Sequence, residues 1–345
     1  MKQFSGLMRV LPYLILVAIL VYSAYSYYAL ADSYTQEELE RGGKGYVSDE
    51  VWYVDAARNI LRKIFGAAPR FVGRPSATVI YSGNLSLDKM KSLAEEYGVQ
   101  IVDSSYTQLK SAVYVEASSA REIELFARGI NASDVVWGWR LGDAEGINNY
   151  LNLEHPPLVK YLIALFMLLL GDYPTYWRLP SIAAGLLTII LTYMLVTEVS
   201  GRWWLGIAAA ALLASDPIMK AMSSVAMLDV YVALFTVAAV YTAVKKGPLR
   251  GVIVAALGST AKFNTVFTLL PLYLAYARRL AAQRVDLRKF LDETLFFICF
   301  SLLAFVLLQT AVSLPVIAAL GPARWMDQCI VGALRWHLTT KCVGE

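Results

Sequence analysis

Two adjacent carboxylates, Asp49 and Glu50, stand at the head of the stretch YVSDEVWYVDAARNILRKIFG, residues 46–66. A carboxylate held beside a hydroxyl can take its proton as a general base. Cations are the natural complement, because charge-assisted hydrogen bonds to a lysine or arginine hold a phosphate well. The chain offers Lys160, Arg178 and Lys262 for that role, with His155 and His337 as further donors. Glu154 and Asp229 supply a second acidic group. Each residue also has a plainer reading. Asp49 or Ser48 could cap a surface helix, Asp229 could cap the next helix, Asp216–Pro217 could end one, and a lysine beside a span commonly snorkels to the interface.

The elements that must position these groups are membrane elements. Of 345 residues, 57% are hydrophobic and 17% charged, with a mean hydropathy of +0.51, which excludes an ordinary soluble globular chain. Val10–Ala31 is a run of 22 uncharged residues, enough to cross a hydrocarbon core of about 30 Å and too long for a cleaved signal. Residues 32–155 differ in kind: they hold 18 of the 27 acidic residues, and read as a solvated domain. Within 46–66, Val51, Val54, Ala57, Ile60, Leu61, Ile64 and Phe65 recur at helical spacing, predicting an amphipathic helix that could lie in the interface and hold the acidic pair at headgroup depth. Over about 70–130 the pattern predicts a β-α-β-β-α insert. NLS at Asn84 and NAS at Asn131 are acceptor sequons of weak specificity.

After residue 155 come apolar blocks separated by two basic loops, KKGPLR and RRLAAQRVDLRK. The excess of Lys and Arg places both loops in the cytoplasm, and Lys2 and Arg9 put the N-terminus there too. Residues 251–277 must then leave the cytoplasm and return as two short helices kinked near Lys262. Pro156–Gly171 becomes an interfacial or re-entrant helix, and 156–312 carries the remaining spans. The predicted fold class is a polytopic α-helical membrane protein of about seven spans, with residues 1–31 as a cytoplasmic tip and first span, and 313–345 as an external tail. This topology gathers Asp49, Glu50, Glu154, His155, Lys160, Arg178, Asp216, Asp229 and His337 on the external side, where a charged cluster would line a polar cavity. Cys299, Cys329 and Cys342 have no metal spacing and the two histidines leave little for zinc, so no cofactor is implied and a divalent cation stays an open alternative. The charges sort by membrane side and give no sign of a nucleic-acid partner.

Four ordered blocks, SDEVWYVDAARNI, EHPPLVKYLIALFMLLLGDYPTYWRLPSIAAGLLT, ASDPIMKAMSSVAMLDVYVALF and STAKFNT, resemble the GT-C superfamily of polyprenyl-phosphate-sugar-dependent glycosyltransferases. They are most similar to the dolichyl-phosphate-mannose–protein mannosyltransferase family. The resemblance covers residues 1–70 and 150–312 and leaves the insert without a counterpart. It implies that Asp49 is the base on the acceptor hydroxyl, that Glu50 completes the acidic pair, that His155, Lys160 and Arg178 match the family's HPPL-K and WRLPS blocks, and that Asp229 matches the acid of MLD. The arginine that the family usually carries before MLD is absent from SSVAMLD, which weakens a phosphate clamp there.

The implied activity is inverting transfer of a sugar, mannose by resemblance alone, from a polyprenyl (dolichyl) phosphate to a protein Ser/Thr hydroxyl at the external face. The cell membrane is the expected site in a prokaryote, the ER membrane in a eukaryote. A donor whose lipid stays in the bilayer presents its anomeric carbon at headgroup depth, and its phosphate leaves without a strong general acid, so one base and some cations suffice. A lipid or glycan acceptor is the alternative within enzymes. A membrane transporter or ligand sensor is the alternative outside them, since interrupted mid-membrane helices also mark transporters. The family's later spans and lectin-like domain have no counterpart, so the resemblance implies a minimal version, a fragment or one half of a split enzyme whose partner subunit supplies the missing spans.

Overall fold

The computed structural model describes residues 2–339 apart from 84, 108, 110 and 145; side chains of 2–9, 334 and 336–338 also lie outside the description, and with them the side chain of His337. The Asn84 sequon is outside the described residues too. The chain divides into two units, Met1–Leu30 with Leu153–Val159 and Ser181–Glu345, and Ala31–Asn152 with Lys160–Pro180.

The first unit is helical. Among the described residues three helices are long and apolar enough to cross a membrane, Val10–Glu40, Pro174–Ser200 and Leu287–Leu320. A fourth span is reached if the pair Trp203–Ser215 and Pro217–Ser223, bent by 66°, counts as one. The bend has a local cause. Asp216 caps the second helix, accepting from Met219 N at 2.6 Å, and Pro217 occupies its first turn. The reading of Asp216–Pro217 as the end of a helix therefore fits the geometry, since Trp203–Ser215 stops at Asp216. Leu158–Leu169 and Pro248–Ser259 are apolar but, at 12 residues each, extend only about 18 Å. A count of seven spans would need such shorter helices. Leu291, Leu295, Leu302, Leu303, Val306 and Leu307 are exposed along the last long helix, the surface expected of a lipid-facing side.

The break expected near Lys262 is present. Pro248–Ser259 ends at Thr260, and a 3₁₀ turn, Phe263–Thr268, leads into Leu269–Ala282. Pro248–Ser259 packs closely on Asp229–Lys246 because small residues face it. A Cβ at Gly251 would stand 2.8 Å from the Ala239 carbonyl oxygen.

The second unit holds a four-stranded antiparallel sheet: β1 (Ser76–Tyr81), β2 (Val99–Asp103), β3 (Ala112–Ala117) and β4 (Ala132–Trp137), in the order β2-β3-β1-β4. With helices Leu87–Glu96 and Ala120–Gly129 the chain order is β-α-β-β-α-β, the split βαβ or ferredoxin-like arrangement. This is one strand more than the sequence pattern predicted. Helix Ala120–Gly129 opens on a capping box formed by Ser119 and Glu122, and Asn131 turns the chain into β4 at a φ of 53°. One sheet face is covered by both helices around Ala77, Val79, Val113, Val115, Met90, Ile123 and Phe126. The other face carries Val136 and Ile80, which pack with Leu141, Ile147, Val51 and Trp52. That face is where the helix Glu50–Lys63 sits.

Candidate functional site

Helix Glu50–Lys63 does not lie on a surface with its charges solvated. Asp55, Arg58 and Asn59 are buried together with Val54, Ala57, Ile60 and Leu61, so the interfacial amphipathic helix of the sequence reading is corrected to a helix enclosed on most sides. Protein surrounds it because the sheet covers one side and the segments 139–150 and 172–178 approach others. Arg62 pairs with Asp134 of β4 and donates to the Asn148 carbonyl, while Asn59 donates to the carbonyls of Ile147 and Tyr150 at 2.7 and 2.9 Å.

At the head of this helix the two acids have opposite environments. Glu50 is completely buried. Its Oε1 accepts from Arg178 Nε at 2.8 Å, and its Oε2 accepts from Arg178 Nη2 at 2.7 Å and Val47 N at 2.8 Å. Arg178, also fully buried, further donates to the carbonyls of Ala31 and Gly45 at 2.6 and 3.0 Å and to Thr35 Oγ1 at 2.9 Å. All five of its N–H donors are thereby engaged inside the protein. Asp49 is exposed and occupies the N-cap position, yet its side chain makes no capping bond. Among the described residues its carboxylate has no hydrogen bond or ion pair. Ser48, just before it, holds a φ of 54°, a conformation that costs a non-glycine residue energy and persists only where the surroundings impose it. Gly45 is required nearby: its φ is 85°, and a Cβ there would meet Pro174 Cγ at 2.5 Å.

A second buried network lies one turn further on, and the sequence reading missed it. Arg58 Nε and Nη2 donate to Asp172 at 2.6 and 2.9 Å, and Nη1 donates to Asp55. Asp172 also accepts from Trp177 Nε1 at 2.7 Å and Trp139 N at 3.0 Å. The Tyr46 hydroxyl lies 2.8 Å from Asp55 Oδ1 and accepts from Arg58 Nη1 at 3.1 Å, and its ring stacks on Trp177 at 5.2 Å. Burial pushes the Asp55 carboxyl up to about 6, although Arg58, Tyr46 and the Gly142 N–H pull it back. Burial works to lower Arg58, but Asp172, Tyr46 and Asp55 outweigh it and hold the guanidinium well above its ordinary value. The signal for Asp172 was available: it is the lone charge between an apolar block and WRLPS.

The remaining predicted residues divide by environment. Lys160 is fully buried in the second unit and donates to the Asn152 carbonyl and, at 3.4 Å, to Asn152 Oδ1. In the first unit His155 is buried and Glu154 half-buried. There Lys262 Nζ lies 2.7 Å from Asp229 Oδ1 in an ion pair whose carboxylate is 43% exposed. Among the described residues no group of three or more His, Cys, Asp or Glu side chains could hold a metal ion.

The chain combines apolar, membrane-length helices with the acid- and cation-bearing blocks described above. Residues 154–313 match the dolichyl-phosphate-mannose-protein mannosyltransferase family. The match begins at EHPPLVK and includes WRLPS, MLD and STAKFNT; Asp49 and Glu50 precede it. A polyprenol-phosphate-mannose–protein mannosyltransferase of Corynebacterium glutamicum is 30% identical over 117 residues, 33% of this chain and 22% of the relative. One from Mycolicibacterium smegmatis is 29% identical over 104 residues, 29% of this chain and 20% of the relative. The chain therefore aligns with about a fifth of the length of these relatives. No solved structure matches it significantly.

Proposed function

We propose that this protein transfers mannose from a polyprenyl phosphate to a Ser or Thr hydroxyl of a protein acceptor, with Asp49 as the base. The observation that carries the reading is the contrast within the acidic pair. Glu50 is consumed by Arg178, whereas Asp49 is exposed and uncommitted at the end of a helix locked along its length. In the reaction the acceptor oxygen attacks the anomeric carbon, its proton passes to Asp49, and the bond from that carbon to the phosphate oxygen breaks with its electron pair on the phosphate. Attack opposite the leaving group inverts the anomeric centre.

Arg178 has no donor left for a phosphate in this arrangement, so its proposed role changes from phosphate ligand to positioning residue, through Glu50 and the Gly45 carbonyl. Lys262, 15% exposed at its side chain, is the cation we retain for the donor phosphate. The topology proposed is the seven-span one, with Asp49 on the external side. The resemblance and the family match of 154–313 support donor and acceptor class. The test is a purified, reconstituted chain given labelled polyprenyl-phosphate mannose and a Ser/Thr peptide. Peptide-dependent release of polyprenyl phosphate with stoichiometric glycopeptide is expected. Release that is indifferent to the peptide would refute the acceptor, and no release would refute the reading.

A further inference from the structure

Beside the acidic pair the second unit has a cleft of about 490 Å³ lined by Glu38, Arg41, Lys44, Tyr46, Asp143 and neighbouring residues. Ser48 and Val51, which bracket Asp49 and Glu50 in the chain, are part of the same lining. Its chemistry is that of a site for a hydrophilic chain. A lipid acceptor would need an apolar wall, and here Val51 and Ala144 are the apolar side chains of the lining, the others being charged or hydroxylated with bare backbone at the glycines between them.

The bare stretches are fixed by packing. A Cβ on Gly43 would stand 2.5 Å from Glu38 Oε2 and 2.9 Å from the Glu38 carbonyl oxygen, and one on Gly142 would meet Val51 Cγ2 at 2.4 Å. Carbonyls on a wall without side chains are what an extended polypeptide can use for main-chain hydrogen bonds.

The charges in the cleft are unevenly committed. Lys44 faces Asp143 at 3.3 Å and Asp103 at 3.8 Å and lies over the Tyr106 ring at 4.6 Å. Arg41 is turned to Glu37 at 3.6 Å. Glu38 is half-buried, and among the described residues its carboxylate has no hydrogen bond or ion pair. One negative charge is left for an occupant to neutralise.

We infer that this cleft receives the acceptor as an extended polypeptide and that Glu38 favours a cationic side chain near the hydroxyl-bearing residue. The inference rests on the transfer reaction proposed above and adds acceptor selectivity to it. It also gives the ferredoxin-like module a part in the reaction, because Asp103 ends β2 and Asp143 follows β4.

The test uses the full chain, labelled polyprenyl-phosphate mannose and three peptides identical except for Lys, Gln or Glu beside the acceptor Thr. A partly solvated ion pair predicts that the Lys peptide exceeds the Glu peptide by about three- to fivefold in kcat/KM. Glu38→Gln should erase the preference and Glu38→Lys should reverse it, both with donor KM unchanged. Transfer to all three peptides at equal rates, or a preference that survives Glu38→Lys, overturns the cleft assignment while leaving the reaction standing. A faster reaction with an oligosaccharide or a lipid alcohol than with any peptide overturns it as well. Absence of transfer to every acceptor defeats the proposed reaction, and this inference with it.

Discussion

Replacing Arg178 by Met separates a positioning residue from a phosphate ligand. The substitution keeps the bulk of the stem and removes five donors. Glu50, completely buried, would keep the Val47 N–H at 2.8 Å but lose both bonds from the guanidinium, while the Ala31 and Gly45 carbonyls and Thr35 each lose a partner. Removing one member of a buried ion pair typically costs about 3–5 kcal/mol, most of it the penalty of the stranded charge. For a unit of this size that lowers the thermal midpoint by on the order of 10 °C. Adding Glu50→Gln to Arg178→Met removes the stranded charge, and about 1–3 kcal/mol should return as coupling in the double-mutant cycle. Kinetically, loss of the Gly45 tether should move Asp49. A displacement of about 1 Å is worth about 10²-fold in turnover, so kcat should fall while donor KM holds. The assays are the thermal unfolding of purified protein in detergent and steady-state transfer kinetics at varied donor. An Arg178→Met protein that unfolds at the wild-type temperature and shows only a raised donor KM would refute the reasoning and return Arg178 to the phosphate.

Asp49→Asn should lower transfer by about 10²–10⁴-fold and leave donor binding and the unfolding temperature unchanged; wild-type turnover in this variant would remove Asp49 as base. Lys262→Met should raise donor KM and shrink the stabilisation given by added polyprenyl phosphate, while costing no more than about 1 kcal/mol, since Asp229 is partly solvated; unchanged donor affinity in a protein that unfolds several degrees earlier would make the pair purely structural. Asp55 titrates near 6 in the fold against 3.8 ordinarily, so the folded state binds the extra proton and stability should fall as pH rises from about 4 to about 6, by up to about 3 kcal/mol; Asp55→Asn should flatten that slope, and an unaltered slope in unfolding experiments across this range would exclude Asp55 as its source. A cysteine at Ser215, exposed in the structure, should label from outside with an impermeant reagent in a background without Cys299, Cys329 and Cys342; labelling only from the cytoplasm would defeat the seven-span topology.

What could be read along the chain was what depends on near neighbours. The helix behind Asp49, the break before Lys262, and the strands around ATVIYSG and SAVYVEAS all follow from spacing and composition. The environment of the site helix could not be read that way. Helical periodicity assigns Asp55 and Arg58 to a polar face and so to water, but the Asp172 that accepts from Arg58 is 114 residues away, and nothing local distinguishes a solvated face from a buried polar network. Arg178 and Glu50, 128 residues apart, show the same limit: matching each to a motif suggested separate tasks, and only the fold joins them. The fourth strand was overlooked because ASDVVW follows a helix through a left-handed Asn131 and lacks a second alternating partner nearby. The first helix runs on to Glu40 past Ala31 because the loss of hydropathy at Asp32 marks the end of apolarity, whereas TQEELE continues to favour helix.

The ferredoxin-like module is tied to the loop that carries the acidic pair. Trp139, just past β4, donates its indole N–H to the Lys44 carbonyl at 2.8 Å, and Asp134 of β4 holds Arg62 at the far end of the site helix. The module is therefore a jig more than an appendage. Excising residues 70–139 to obtain a smaller protein would preserve every motif that marks the chemistry and release the loop from its clamp. Exchange for a foreign domain of the same topology would meet the same obstacle unless the substitute brought an indole and a carboxylate to the same two places.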